Sequence, residues 1–138
     1  MGLADQYKNG IVILGAGNVA SHLSLALYHA GFYIKCIYSK SIDNAKKLAQ
    51  QVDAHYTNEI NHIPVEADLY IIAVKDEIIE QLIMPLNLKY GVVVHTAGSI
   101  SMDVFTNKFE NYGVFYPLQT FTKNRALDFS DIPICIEA

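Results

Sequence analysis

Four apolar residues, Ile11-Val12-Ile13-Leu14, run straight into Gly15-Ala16-Gly17-Asn18-Val19-Ala20, and no other stretch of the chain restricts its fold as strongly. The apolar run predicts a buried strand, and it stops at glycines where a chain can reverse. At Gly15 a side chain would obstruct a sharp turn. At Gly17 the missing Cβ leaves room for a ligand to touch the backbone, and Ala20, in the place of a third glycine, is small enough for a helix to lie close on the strand. Val19, Leu23, Ala26, Leu27 and Ala30 then fall on one face at helical spacing, with Gly31 where a helix ends. A second apolar run, Tyr33 to Tyr38, follows at once. Strand, glycine turn, helix and strand in that order make a dinucleotide-binding βαβ unit, with the pyrophosphate expected at the amides and positive dipole end of the helix. The simpler alternative is a tight strand-to-helix turn that binds nothing.

The end of the second strand bears on which dinucleotide is held. An NAD site places Asp or Glu about 20 residues beyond the glycines, to hold the ribose diol. This chain has Tyr38-Ser39-Lys40-Ser41, and the nearest acid, Asp43, falls in the first turn of the next helix. Two hydroxyls and an ammonium suit a 2′-phosphate better than a diol, so NADP is the expected cofactor. Ser41 is also expected to cap a helix over 42–52. A Lys40 that is merely solvated is the alternative.

Strand and helix signals continue to alternate. Ala54 to Thr57 reads as an edge strand. Asp68 to Val74 reads as a strand covered on both faces. Glu77 to Met84 reads as a helix ended by Pro85, Tyr90 to His95 as a fifth strand, and 101–105 as a short helix capped by Ser101. Gly113 to Tyr116 and Ile132 to Ile136 supply the last two strands. Right-handed crossovers then imply an α/β fold with a doubly wound, mostly parallel sheet, the Rossmann NAD(P)-binding fold. Its strand order would be 3-2-1-4-5-6, with the seventh strand at an edge.

The 138 residues suffice for one domain with its own core. A hydrophobic share of 51% against 17% charged is high for a free-standing domain, and a partner surface or second domain would account for it. A net charge of −4 without a basic block argues against nucleic acid. The polar start of the chain carries no secretory signal, and no apolar run reaches membrane-spanning length, so a cytoplasmic location and no membrane partner are expected. Cys36 and Cys135 lie far apart, outside any CxxC pair, and read as buried strand residues.

Ligands of such sheets sit beyond the carboxyl ends of the strands. That selects Gly15 to Val19, Tyr38 to Ser41, Val74 to Asp76, Thr96 to Ser99 and Tyr116 to Gln119. No clear acid–base group stands among them. His95 is the best placed of the five histidines, although a strand-end histidine bonded to local backbone is the plainer reading. His22 and His29 are seven positions apart on one helix, too far for a metal clamp, and no metal-binding cluster is present. Lys75 could reach a phosphate or a substrate carboxylate, and a solvated strand-end lysine is an equal alternative. There is no GxSxG, no GK[ST] and no Tyr-x-x-x-Lys, which argues against hydrolases, P-loop NTPases and short-chain dehydrogenases.

Read together, Val12 to Ala20, Tyr38-Ser39-Lys40-Ser41, Ala67 to Lys75 and His95-Thr96-Ala97-Gly98-Ser99 resemble the N-terminal domain of the pyrroline-5-carboxylate reductase and deazaflavin-dependent NADP oxidoreductase group. The likeness is greatest to an uncharacterised branch with a C-terminal helical domain of unknown function. The run Gly113 to Phe121 is the most specific token of that branch. The resemblance implies NADP(H) binding by Gly15, Gly17, Asn18, Val19, Ser39 and Lys40, with Val74 and Lys75 beside the cofactor and Thr96 to Ser99 on the nicotinamide side. With their neighbours Ala16, Tyr38, Ser41, Ala97 and Gly98, these are the candidate cofactor residues. Catalytic residues and substrate are left open. The resemblance also implies a homodimer and a second, helical domain, which is not expected within residues 1–138.

Two functions follow as expectations. One is the NADP(H)-binding domain of an oxidoreductase that transfers hydride to or from a small imine, ketone or related substrate. The other is a non-catalytic NADP(H)-binding or sensing module. A methyltransferase is a remote third, since its glycine loop is followed by an acid at the end of strand two.

Overall fold

The computed structural model describes residues 9–96, 109, 111–117 and 134–137. Seven strands form one sheet: β1 (Ile11–Leu14), β2 (Ile34–Tyr38), β3 (His55–Thr57), β4 (Leu69–Ile72), β5 (Val92–His95), β6 (Asn111–Pro117) and β7 (Ile134–Glu137). Their order is β3-β2-β1-β4-β5-β6-β7. All neighbours pair in parallel except β6 with β7, which are antiparallel. The order and the mostly parallel sense are those read from the sequence. Three α-helices are described, α1 (Asn18–His29), α2 (Ile42–Gln51) and α3 (Asp76–Ile83), with a 3-10 turn at Ile60–His62 that the sequence reading lacked.

Alternate residues of the central strands serve opposite faces, as the period of two requires. Ile11 and Ile13 of β1 pack with Ala20 and Leu23 of α1 and with Ala45, Leu48 and Ala49 of α2. Val12 and Leu14 pack on the other side with Ile79, Leu82 and Ile83 of α3. Helices on both faces explain why β1 is buried at all four positions, and why its sequence shows an unbroken apolar run rather than alternation.

The helix ends are built as the sequence suggests. Ser41 Oγ accepts the Asn44 N–H at 3.2 Å and caps α2. α1 closes in a Schellman turn. Phe32 N–H donates to Leu27 O at 3.0 Å and Gly31 N–H to Tyr28 O at 3.1 Å, with Gly31 at φ +97°. β4 is shorter than its apolar run: the Ala73 amide still donates to Leu14 O at 2.8 Å, and the chain then leaves the ladder toward α3. The helix expected at 101–105 lies outside the described residues. No helix among the described residues is long and apolar enough to cross a membrane.

Candidate functional site

The parallel strands bring four chain reversals to one edge of the sheet, and a cleft of about 540 Å³ opens there, within the range of small-molecule sites. β1 contributes Gly15, Ala16 and Gly17, and α1 contributes Asn18 and Val19. The end of β2 contributes Tyr38, Ser39 and Lys40, the end of β4 contributes Ala73, Val74 and Lys75, and β5 contributes Thr96.

Gly15 has φ +130°, and its amide donates to Tyr38 O at 2.7 Å, tying the turn to β2. A Cβ on Gly15 would collide with the Ala73 carbonyl, meeting its carbon at 2.9 Å. Gly15 is therefore required by the fold. Gly17 differs: nothing lies within 4 Å of a Cβ built there, so the fold does not need it, and the space it leaves belongs to the cleft. It is the N-cap of α1, makes no side-chain cap bond, and no acidic residue follows in the first turn. The first-turn amides and the positive end of α1 are thus presented to the cleft, a donor set suited to phosphate oxygens.

At β2 the Ser39 amide donates to Thr57 O at 3.1 Å, and Ser39 Oγ accepts the Ser41 N–H at 3.2 Å. With its oxygen already accepting, Ser39 keeps its proton to donate. Lys40 is exposed next to it. Ser41 does not line the cleft; its hydroxyl accepts the Asn44 N–H at the cap of α2. It touches the site only through the Ser39 hydroxyl. Lys40 and Lys75 are the two cations of the wall, and no carboxylate, histidine or cysteine is among its described residues.

Three wall residues went unmentioned among the sequence candidates: Ala73, Ile78 and Leu82. Ile78 and Leu82 lie four apart on α3, a spacing that reads simply as a core-facing stripe. Ala97, Gly98 and Ser99 lie outside the described residues, as do Leu118 and Gln119. His95 is fully buried at the end of β5 and does not line the cleft, although Thr96 beside it does. His22 is buried on α1, and desolvation lowers its pKa. Cys36 is buried in β2, where loss of water pushes its thiol up to about 11 and leaves it unreactive. Burial also raises the Tyr38 phenol, which stays protonated as a donor. No metal-binding group occurs among the described residues.

A doubly wound parallel sheet with an open glycine turn at its central switch point defines the Rossmann class of nucleotide-binding domains. The family of NADP oxidoreductases described as coenzyme F420-dependent matches residues 10–98, and the chain belongs to that family. It is similar to a Bacteroides fragilis protein assigned as an NADP oxidoreductase, with 44% identity and a TM-score of 0.83 over 92% of this chain and 50% of that one. It shares its fold with an imine reductase from Myxococcus stipitatus solved with NADP+ (16% identity, TM-score 0.67, 80% of this chain and 42% of that one). The same holds for a pyrroline-5-carboxylate reductase from Coxiella burnetii (18% identity, TM-score 0.65, 80% and 44%). The chain thus spans about half the length of these proteins. Among curated protein sequences none matches it.

Proposed function

We propose that the cleft binds NADP(H) and that the chain is the cofactor-binding domain of an oxidoreductase acting on a small imine, ketone or related substrate. One observation carries the choice of cofactor: β2 ends in the Ser39 hydroxyl and the Lys40 ammonium, with no carboxylate among the described wall residues. A 2′-phosphate can use both donors, whereas a ribose diol lacks its usual acceptor. The α1 amides hold the pyrophosphate over Gly17. Val74, Lys75 and Thr96 face the nicotinamide, with Ala97 and Gly98 as further candidates. The apolar side chains of Ile78 and Leu82, with Tyr38, shield the adenosine side from water. The cofactor supplies hydride; the protein fixes the ring against its acceptor.

Calorimetric titration with NADPH and NADH tests the binding. Equal dissociation constants would defeat the choice of NADP. A homodimer and a cytoplasmic location belong to the same reading, and sedimentation of the chain checks the first. A second reading, sensing of NADP(H) without turnover, is favoured by the lack of a carboxylate, histidine or cysteine among the described wall residues. NADPH oxidation against a panel of imines and ketones separates the two, since only the first gives turnover.

A further inference from the structure

The cleft crosses four strand ends in the order β2, β1, β4, β5, so its chemistry is set out along a line. Ser39 and Lys40 stand at β2, the glycine turn and α1 at β1, Lys75 at β4 and Thr96 at β5. Adjacent strands are about 4.8 Å apart, which places the Lys75 end of the sheet roughly 10 Å from the Lys40 end. With phosphates held at β2 and β1, the nicotinamide ring and its ribose fall over β4 and β5, and these carry no anionic group. Lys75 is exposed, and the ion pairs among the described residues do not include it. No carboxylate lies among the described wall residues to pair with it. A fixed cation there repels the nicotinamide ring when it is oxidised and positively charged, and leaves the neutral reduced ring unaffected. An anion to meet it can be supplied by the remaining occupant, the substrate.

We propose that Lys75, with the Thr96 hydroxyl on the neighbouring strand, is a specificity residue that takes the carboxylate of an anionic substrate and, until that carboxylate arrives, biases the cleft toward reduced cofactor. The inference rests on the cofactor reading above. It also gives the site an order. When hydride passes with its electron pair from the reduced ring to the carbon of a C=N or C=O group, the ring is oxidised and gains a positive charge. The carbon is reduced, and the nitrogen or oxygen takes a proton from water. A carboxylate on Lys75 cancels the charge that opposes this change, so a substrate lacking one is handicapped in transfer as well as in binding.

The test compares the native chain with Lys75→Met, a swap of similar length at an exposed position, by calorimetric titration with NADPH and NADP+ separately. The ratio of the NADP+ to the NADPH dissociation constant is expected to fall about three- to tenfold in the variant, as one partly screened charge at this range requires. Propanoate, at constant ionic strength, is expected to tighten NADP+ on the native chain and not on the variant, with propionamide as the uncharged control. Equal weakening of both cofactor forms in Lys75→Met would overturn the proposal alone, since it would put the lysine on the pyrophosphate. Propanoate without effect on the native chain would also overturn it. Failure of the native chain to bind NADPH at all would overturn the cofactor reading together with it.

Discussion

Gly15 and Gly17 stand two residues apart in one turn, yet a side chain would meet backbone at the first and open space at the second, and paired substitutions expose the difference. In Gly15→Ala the new residue must hold φ +130° and drive its methyl into the Ala73 carbonyl. An L-residue in that backbone region costs about 1–3 kcal/mol, and forced overpacking against backbone adds about 1–3 kcal/mol. The sum is roughly 2–6 kcal/mol, or a fall in Tm on the order of 8–24 °C for a domain of this size. Gly17→Val meets open space at a backbone with φ −82°. Its weaker N-cap is largely offset by reduced freedom of the unfolded chain, so stability changes by about 1 kcal/mol or less. The isopropyl group instead fills the volume assigned to pyrophosphate. Losing two amide-to-phosphate bonds at about 1.5–3 kcal/mol each weakens NADPH roughly a hundredfold or more. Thermal melts with and without NADPH, joined to calorimetric titration, read both quantities. A native Tm in Gly15→Ala, or native NADPH affinity in Gly17→Val, would refute the division.

NADPH is expected to bind roughly tenfold or more tightly than NADH, since one charge-assisted phosphate bond contributes about 1.5–3 kcal/mol; Lys40→Asp should erase or reverse the ratio in paired titrations. Ser41→Ala removes the cap of α2 but keeps the amide that holds Ser39 Oγ, so urea unfolding should show a loss of about 1 kcal/mol with the NADPH-to-NADH ratio retained; loss of the ratio would place the Ser41 hydroxyl on the phosphate after all. Cys36 is raised from 9.0 to about 11 in the fold, so its burial favours the protonated thiol. That contribution is complete below the unfolded pKa and lost as pH rises through the folded one, on the order of 2 kcal/mol between the two. Cys36→Ala should flatten the alkaline fall of unfolding free energy over that range, and an unchanged slope would show that the thiol is not the cause.

The βαβ unit was legible because each of its signals is local. Strand β1 is four apolar residues long, the turn needs Gly15 for steric reasons, and α1 repeats its apolar positions with a Schellman glycine at Gly31. Helix boundaries were read to within a residue or so, since Ser41 and Gly31 act on neighbouring backbone. The inward-looking wall of the cleft was less legible. Ile78 and Leu82 satisfy the helical pattern of any core stripe, and only the packing of α3 across the strand ends turns them toward a ligand. Ser41 lies off the described wall, while its cap of α2 was legible from its place just before the helix.

The sequence alone determined the class of fold, the sites of chain reversal and the chemical character of the β2 end, because turn sterics, hydrophobic period and side-chain charge act within a few residues. The strand order already implied which of those reversals meet; tertiary structure decided which side chains line the space between them. It brought Lys40 and Lys75 to one cleft from positions 35 residues apart, left His95 sealed beside it, and kept carboxylates off its described wall. Parallel pairing of β2, β1, β4 and β5 is the physical reason: it gathers the carboxyl ends of distant segments along one edge, and no local signal records which side chains then share that space.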